Sequence, residues 1–211
     1  MSVLVEIKEA TRTGDQDKVR GLVQKGLDEG LAPERIIKEA LIAAMDVVGK
    51  EFGEGKIYMP EMLIAARAMK SGLEIVKPLL VGGQVQSIAK VVIGTVQGDL
   101  HDIGKNLVGM MLEGAGAEVI DLGVDVSPQK FVEATQTHQP QFLGLSALLT
   151  TTMTSMKSTI EALEEAGLKQ SVRILIGGAP ITQGFADEIG ADGFGSNARE
   201  AVELVRAGVT A

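Results

Sequence analysis

The sequence predicts an α/β protein with a small helical bundle first and a five-stranded parallel sheet second. Two observations carry this. Up to about Gly83 the apolar residues recur at helical spacing. From Ala89 onward short apolar runs alternate with helical patterns five times, as a parallel sheet with helices on both faces requires.

In the first part, Val19, Leu22, Val23 and Leu27 share one helical face. Pro33 can open the next helix, and Ile36, Ile37, Ala40, Leu41, Ala44, Met45 and Val48 continue its stripe. Glu51 to Lys56 breaks the pattern, because Gly53 and Gly55 mark a turn. Pro60 suits the first turn of a further helix, with Met62, Leu63, Ala66, Met69, Leu73 and Val76 facing inward. Each stripe needs a partner surface, and a four-helix bundle supplies it. The uncharged, Gly-containing stretch Leu80 to Ser87 reads as a linker, which divides the chain into 1–86 and 87–211.

In the second part the predicted strands are 91–96, 118–122, 142–146, 173–176 and a weak one near Gly193-Phe194. The predicted helices are 103–114, 128–138, 153–166, 181–189 and 198–207. A flavodoxin-like (Rossmann-type) strand order is the commonest five-stranded choice, and it puts ligands at the carboxyl ends of the strands. Functional residues are therefore expected after strands one, three, four and five.

Composition narrows the chemistry. The chain has 211 residues, no Cys, no Trp and two His, so disulfides, thiolate metal sites and a multi-histidine zinc site are not expected. Twenty-eight acidic residues against 20 basic ones give a net charge of −8, a poor match to a nucleic-acid backbone. No apolar stretch approaches the roughly 20 residues that span a bilayer. The N-terminus lacks the pattern of a signal peptide. A cytoplasmic protein with no nucleic-acid or membrane partner is expected.

The loops carry the rest. After strand one stands Gly98-Asp99-Leu100-His101-Asp102-Ile103-Gly104. His101 lies at a helix N-terminus, where the dipole disfavours imidazolium, and a neutral ring is what a metal needs. Asp99 can accept a hydrogen bond from the other ring nitrogen. The competing reading makes Asp99 and Asp102 helix caps and His101 a surface residue. After strand three come Ser146, Leu148 and the hydroxyl run Thr150 to Ser155, which reads as ligand contacts or as helix capping. Gly177-Gly178 and Ser196-Asn197-Ala198 are small-residue loops at the same edge. His138, beside Pro140, reads as a surface residue. Neither a P-loop nor a dinucleotide fingerprint is present. Small residues in several loops suggest that something bulky inserts between them.

Together these residues resemble the cobalamin-binding module of corrinoid methyltransferases. Asp99-x-His101-x-x-Gly104, Ser146-Ala147-Leu148 and Gly177-Gly178 stand in its order and in its loops. Phe52-Gly53-Glu54-Gly55-Lys56-Ile57-Tyr58-Met59-Pro60-Glu61 resembles the helical cap that precedes this module in cobalamin-dependent methionine synthase. The resemblance implies a corrinoid bound with its lower base displaced. His101 would ligate cobalt, Asp99 would hold His101, and Thr152, six positions after Ser146, would supply the hydroxyl beside Asp99 where methionine synthase has Ser. The displaced nucleotide tail would run past Ser146, Thr150, Gly177 and Gly178, with Ala198 near the base. Phe52, Met59 and Met62 would cover the methyl group, or serve as bundle core.

The resemblance further implies a methyl carrier, with a substrate-specific methyltransferase, a methyl-acceptor methyltransferase and a reductive activase as partners. The donor would be methanol, a methylamine, a betaine or an aryl methyl ether, and the acceptor a thiol or tetrahydrofolate. Residues 82–87 would be the hinge. The alternatives are a cobalamin-dependent sensor and the small subunit of a cobalamin mutase.

Overall fold

The computed structural model describes residues 2–79 and 87–209. The expected linker and hinge, apart from Ser87, lie outside the described residues. The chain forms two compact units, Met1–Ser87 with Gly114–Gly116, and Ile88–Glu113 with Ala117–Ala211.

The first unit is helical: α1 (Val3–Arg12), α2 (Gln16–Asp28), α3 (Pro33–Arg35), a π-helical stretch (Ile36–Ile42), α4 (Ala43–Gly53) and α5 (Met59–Val76). Asp15 caps α2 by accepting from the Lys18 N–H at 3.1 Å. The predicted stripes are buried at Val19, Val23, Ile36, Ile37, Ala40, Leu41, Ala44, Met45, Val48, Met62, Met69 and Val76. Two details differ from expectation. Helix α4 runs through Gly53, so the turn starts at Glu54, and Gly55 takes a φ of 70°. Residues 36–42 wind as a π-helix, which side-chain periodicity over seven residues does not separate from an α-helix.

The second unit holds β1 (Lys90–Thr95), α6 (Ile103–Gly114), β2 (Glu118–Asp121), α7 (Pro128–His138), β3 (Phe142–Ser146), α8 (Met153–Glu165), β4 (Arg173–Gly177), α9 (Gln183–Ile189), β5 (Gly193–Gly195) and α10 (Ala198–Val209). All strand pairs are parallel, and the order is β2-β1-β3-β4-β5. This is the flavodoxin-like order. β1 and β3 are nearly continuous apolar runs because helices cover both faces of a parallel sheet. Val92, Leu143, Ile174, Phe131, Met156 and Ile160 form one cluster, and each large apolar side chain buried there contributes about 1.5–3 kcal/mol. Register pairs Thr95 with Ser146 and Ser146 with Gly177, so β1, β3 and β4 end level. That alignment brings their loops together. Among the described residues no helix is long and apolar enough to cross a membrane.

Candidate functional site

Asp99 is the centre of the site. It follows the carboxyl end of β1 and is 0% exposed. Its Oδ1 accepts from the His101 backbone N–H at 3.1 Å and from His101 Nδ1 at 2.7 Å. Its Oδ2 accepts from the Leu148 N–H at 2.7 Å, the Leu149 N–H at 3.2 Å and Thr152 Oγ1 at 2.7 Å. Burial pushes this carboxyl up, as desolvation disfavours charge. The hydrogen bonds from Thr152, Leu148 and His101 outweigh it and hold Asp99 well below the usual carboxylate range. Asp99 is therefore an anion with every lone-pair direction spoken for.

The two carboxylates of this loop do not serve as side-chain helix caps. Asp99 closes a turn onto His101 and does not cap α6. Asp102 also does not cap the helix with its side chain; its Oδ2 accepts from Asn106 Nδ2 at 3.0 Å. Thr152 stands at the N-cap position of α8 but makes no capping hydrogen bond, since its hydroxyl serves Asp99.

His101 is oriented by that anion. An ionised carboxylate only accepts, so Nδ1 carries hydrogen and the Nε2 lone pair is left for another partner. The side chain is 51% exposed, and among the described residues Nε2 has no hydrogen bond. In the same stretch and in the loop after β3, the apolar residues Leu100, Ile103, Leu148 and Leu149 are 72%, 70%, 42% and 43% exposed. Exposed apolar residues on the loops that hold an imidazole nitrogen without a protein partner suit a large, mostly apolar object that carries a metal. No cluster of three or more His, Cys, Asp or Glu able to hold a metal occurs among the described residues. A metal at Nε2 would thus have to bring its own remaining ligands, as a macrocycle does. The residues fit a corrinoid.

The other expected residues divide. Gly98 opens the loop at a φ of 85°, and Gly104 lies exposed in the first turn of α6. Ser146 ends β3, and Thr150 is exposed in the next loop. Gly178 has a φ of 136°, and a Cβ there would lie 1.8 Å from the Ala147 carbonyl oxygen. Close passage of the loops after β3 and β4 thus accounts for this glycine by itself. Ala198 is buried at the start of α10. In the helical unit Phe52 is half-buried, Met59 is exposed and Met62 is wholly buried. His138 ends α7, at the amino edge of the sheet, and is half-buried rather than fully solvated.

Three braces on the histidine loop were not anticipated. Thr95 Oγ1 donates to the His101 carbonyl at 2.9 Å, Ser155 Oγ donates to the Gln97 carbonyl at 3.0 Å, and Asp125 Oδ1 accepts from the Gly98 N–H at 2.7 Å. Lys105, its side chain 1% exposed, reaches Asp121 Oδ2 at 2.5 Å and Asn106 Oδ1 at 2.7 Å. Asp121 ends β2 and Asp125 lies in the loop after it, which the switch-point rule passes over. A turn-like Gly123-Val124-Asp125 was the one signal available.

Residues 89–203 match the B12 binding domain family, and residues 3–77 match a second B12 binding domain model. Fold and site thus define a B12-binding protein. The chain is 44% identical over 97% of its length to a corrinoid protein of Desulfitobacterium hafniense (strain Y51), of which it covers 96%. It is 45% identical over 95% of its length to dimethylamine corrinoid protein 1 of Methanosarcina acetivorans, covering 94% of that protein. A chain of the methanol:cobalamin methyltransferase complex MtaBC from Methanosarcina barkeri superposes with a TM-score of 0.91 at 32% identity, over 99% of this chain and 80% of that one. The chain belongs to the corrinoid proteins of methyltransferase systems and is a corrinoid methyl carrier.

Proposed function

We propose that this carrier binds cobalamin base-off with His101 Nε2 as the lower cobalt ligand. In this reading it shuttles a methyl group between a substrate-specific methyltransferase and a methyl-acceptor methyltransferase using a thiol or tetrahydrofolate. The observation that carries it is the half-exposed His101 ring, tied through Nδ1 to a wholly buried anionic Asp99, which leaves Nε2 without a protein partner among the described residues. A relative in complex with a methyltransferase supports a partner of that kind, and a reductive activase completes the set. The name of the dimethylamine relative favours a methylated amine as donor. A cytoplasmic location and a division at 86/87 belong to the same reading.

Bound corrinoid supplies the cobalt that accepts and releases the methyl group. The chain supplies ligation and orientation. Asp99 keeps hydrogen on Nδ1 and the lone pair on Nε2. A proton on Nε2 takes that same lone pair, so protonation and ligation exclude each other. Thr152 Oγ1 has two acceptors in reach, Asp99 Oδ2 at 2.7 Å and the Leu149 carbonyl at 2.8 Å. Its single hydrogen can turn from one to the other, which lets His101, Asp99 and Thr152 share a proton when the ligand exchanges. Ser146, Thr150, Gly177, Gly178 and Ala198 would line the path of the displaced nucleotide.

The test is electron paramagnetic resonance of protein loaded with cobalamin and reduced to the cobalt(II) state, with and without ¹⁵N-histidine labelling. The expected result is a nitrogen splitting that changes on labelling and vanishes in His101→Ala. A splitting indifferent to the label would mean that the cofactor keeps its own base and that the reading is wrong.

A further inference from the structure

Asp125 lies in the loop after β2, in a place no ligand argument would visit. Its φ is 51°, the left-handed region that a non-glycine residue seldom occupies. Such a conformation persists where the surroundings over-determine it. Here the surroundings are the histidine loop. The Asp125 N–H donates to the Asp99 carbonyl at 3.0 Å, and Asp125 Oδ1 accepts from the Gly98 N–H at 2.7 Å. One residue thus grips the Gly98–Asp99 segment by both its donor and its acceptor. The left-handed turn is what aims the N–H and the carboxylate of Asp125 at the same neighbour.

The rest of the loop anchors that grip. The Leu122 N–H donates to the Ile93 carbonyl at 2.8 Å, the Thr95 N–H to the Gly123 carbonyl at 3.0 Å, and the Val126 N–H to the Thr95 carbonyl at 2.9 Å. Val96 and Val126 form a further parallel bridge. Pairing with β1 therefore continues past the end of β2, and Asp125 is carried on a stiff extension of the sheet. Gly98, at a φ of 85°, is the point where the histidine loop turns away from β1. Its direction there decides where His101 points.

We propose that Asp125 is a positioning residue for His101. Resting on the reading of His101 as cobalt ligand, it sets the Gly98–Asp99 segment so that Nε2 meets the metal. Asp99 fixes the ring relative to the loop, and Asp125 fixes the loop relative to the sheet.

Two substitutions separate the parts. Asp125→Gly removes the carboxylate while keeping the backbone donor and admitting the left-handed conformation without strain. Asp125→Asn keeps an acceptor for Gly98 and tolerates the same φ. Wild type, both variants and His101→Ala are loaded with cobalamin, reduced to cobalt(II), and compared by the ¹⁵N-histidine-dependent splitting. Hydrogen exchange at the Gly98 amide is measured on the cofactor-free proteins.

The expected result is that Asp125→Gly loses at least five-fold in the histidine-ligated fraction and speeds Gly98 exchange at least ten-fold. Asp125→Asn should stay within two-fold of wild type on both. Should Asp125→Gly keep the wild-type ligated fraction, the proposal fails while the ligation reading stands. Should wild type show no histidine splitting, the ligation reading fails and this role falls with it. If Asp125→Gly does not fold, Asp125→Asn decides: loss of ligation with Gly98 still protected overturns the proposal.

Discussion

Thr152 donates its hydroxyl to Asp99 at 2.7 Å across 53 positions of sequence, joining the loop after β3 to the loop after β1. Both residues are buried, Thr152 at 6% and Asp99 at 0% exposure. Asp99 is an anion, so this bond is of the stronger, charge-assisted kind.

Thr152→Ala removes that donor from a buried carboxylate. The expected cost is about 1.5–3 kcal/mol in urea unfolding of the cofactor-free protein. Thr152→Ser keeps the hydroxyl and loses one methyl, so it should cost under about 1 kcal/mol. Equal costs for the two would show that the methyl, not the hydrogen bond, matters.

Asp99 makes stability depend on acid. Its folded carboxyl lies below its ordinary value, because the hydrogen bonds to it outweigh burial. A depressed folded value means that the unfolded state takes up protons first as pH falls. The contribution is therefore complete above the ordinary carboxylate value, about pH 4, and is lost progressively below it. At pH 7, Asp99→Asn should cost about 2 kcal/mol or more, since an amide nitrogen would face donors. The gap between wild type and variant, followed by urea unfolding from pH 7 to pH 3, should narrow only at the acid end.

Gly178 and Gly98 both have positive φ but differ in surroundings. An alanine Cβ at 178 would lie 1.8 Å from the Ala147 carbonyl oxygen, whereas at 98 the nearest contact is Thr152 Cγ2 at 3.6 Å. Gly98→Ala should cost about 1–2 kcal/mol, the left-handed strain alone. Gly178→Ala adds a backbone collision and should exceed about 3 kcal/mol or leave the protein unfolded, as melting temperatures would report.

Lys105 tests what its ion pair is worth. Its side chain is 1% exposed, while that of its partner Asp121 is 46% exposed. Water screens Asp121, so the pair is discounted toward the surface value of about 1 kcal/mol or less. Lys105→Met keeps the apolar stem and should cost about 1 kcal/mol. Lys105→Ala also leaves a cavity and should cost about 2–4 kcal/mol. Equal costs for the two in urea unfolding would show that the charge, lost in both, outweighs the packing.

Much of this molecule is legible in one dimension. Alternating apolar runs and helical stripes place the strands and helices of the second unit to within one or two residues, because both periods are local properties of the chain. Asp99 and His101 sit two positions apart, so a short motif exposes them. Thr152 is visible through its place after Ser146. The π-helical stretch at 36–42 is not visible, since a slightly wider turn leaves the same residues inward. The buried state of Lys105 is hidden as well, because a lysine beside a helix start reads as solvated.

Local chain chemistry thus decides which segments are strand, helix or loop, and which loop carries a histidine with its carboxylate. The tertiary structure alone decides that Asp99 is saturated by five donors, that Gly178 must be glycine, and that Asp125 grips the histidine loop. The reason is the strand order β2-β1-β3-β4 and its register, which set loops from distant parts of the chain side by side. A hydrogen bond between two such loops depends on distances that no local pattern encodes.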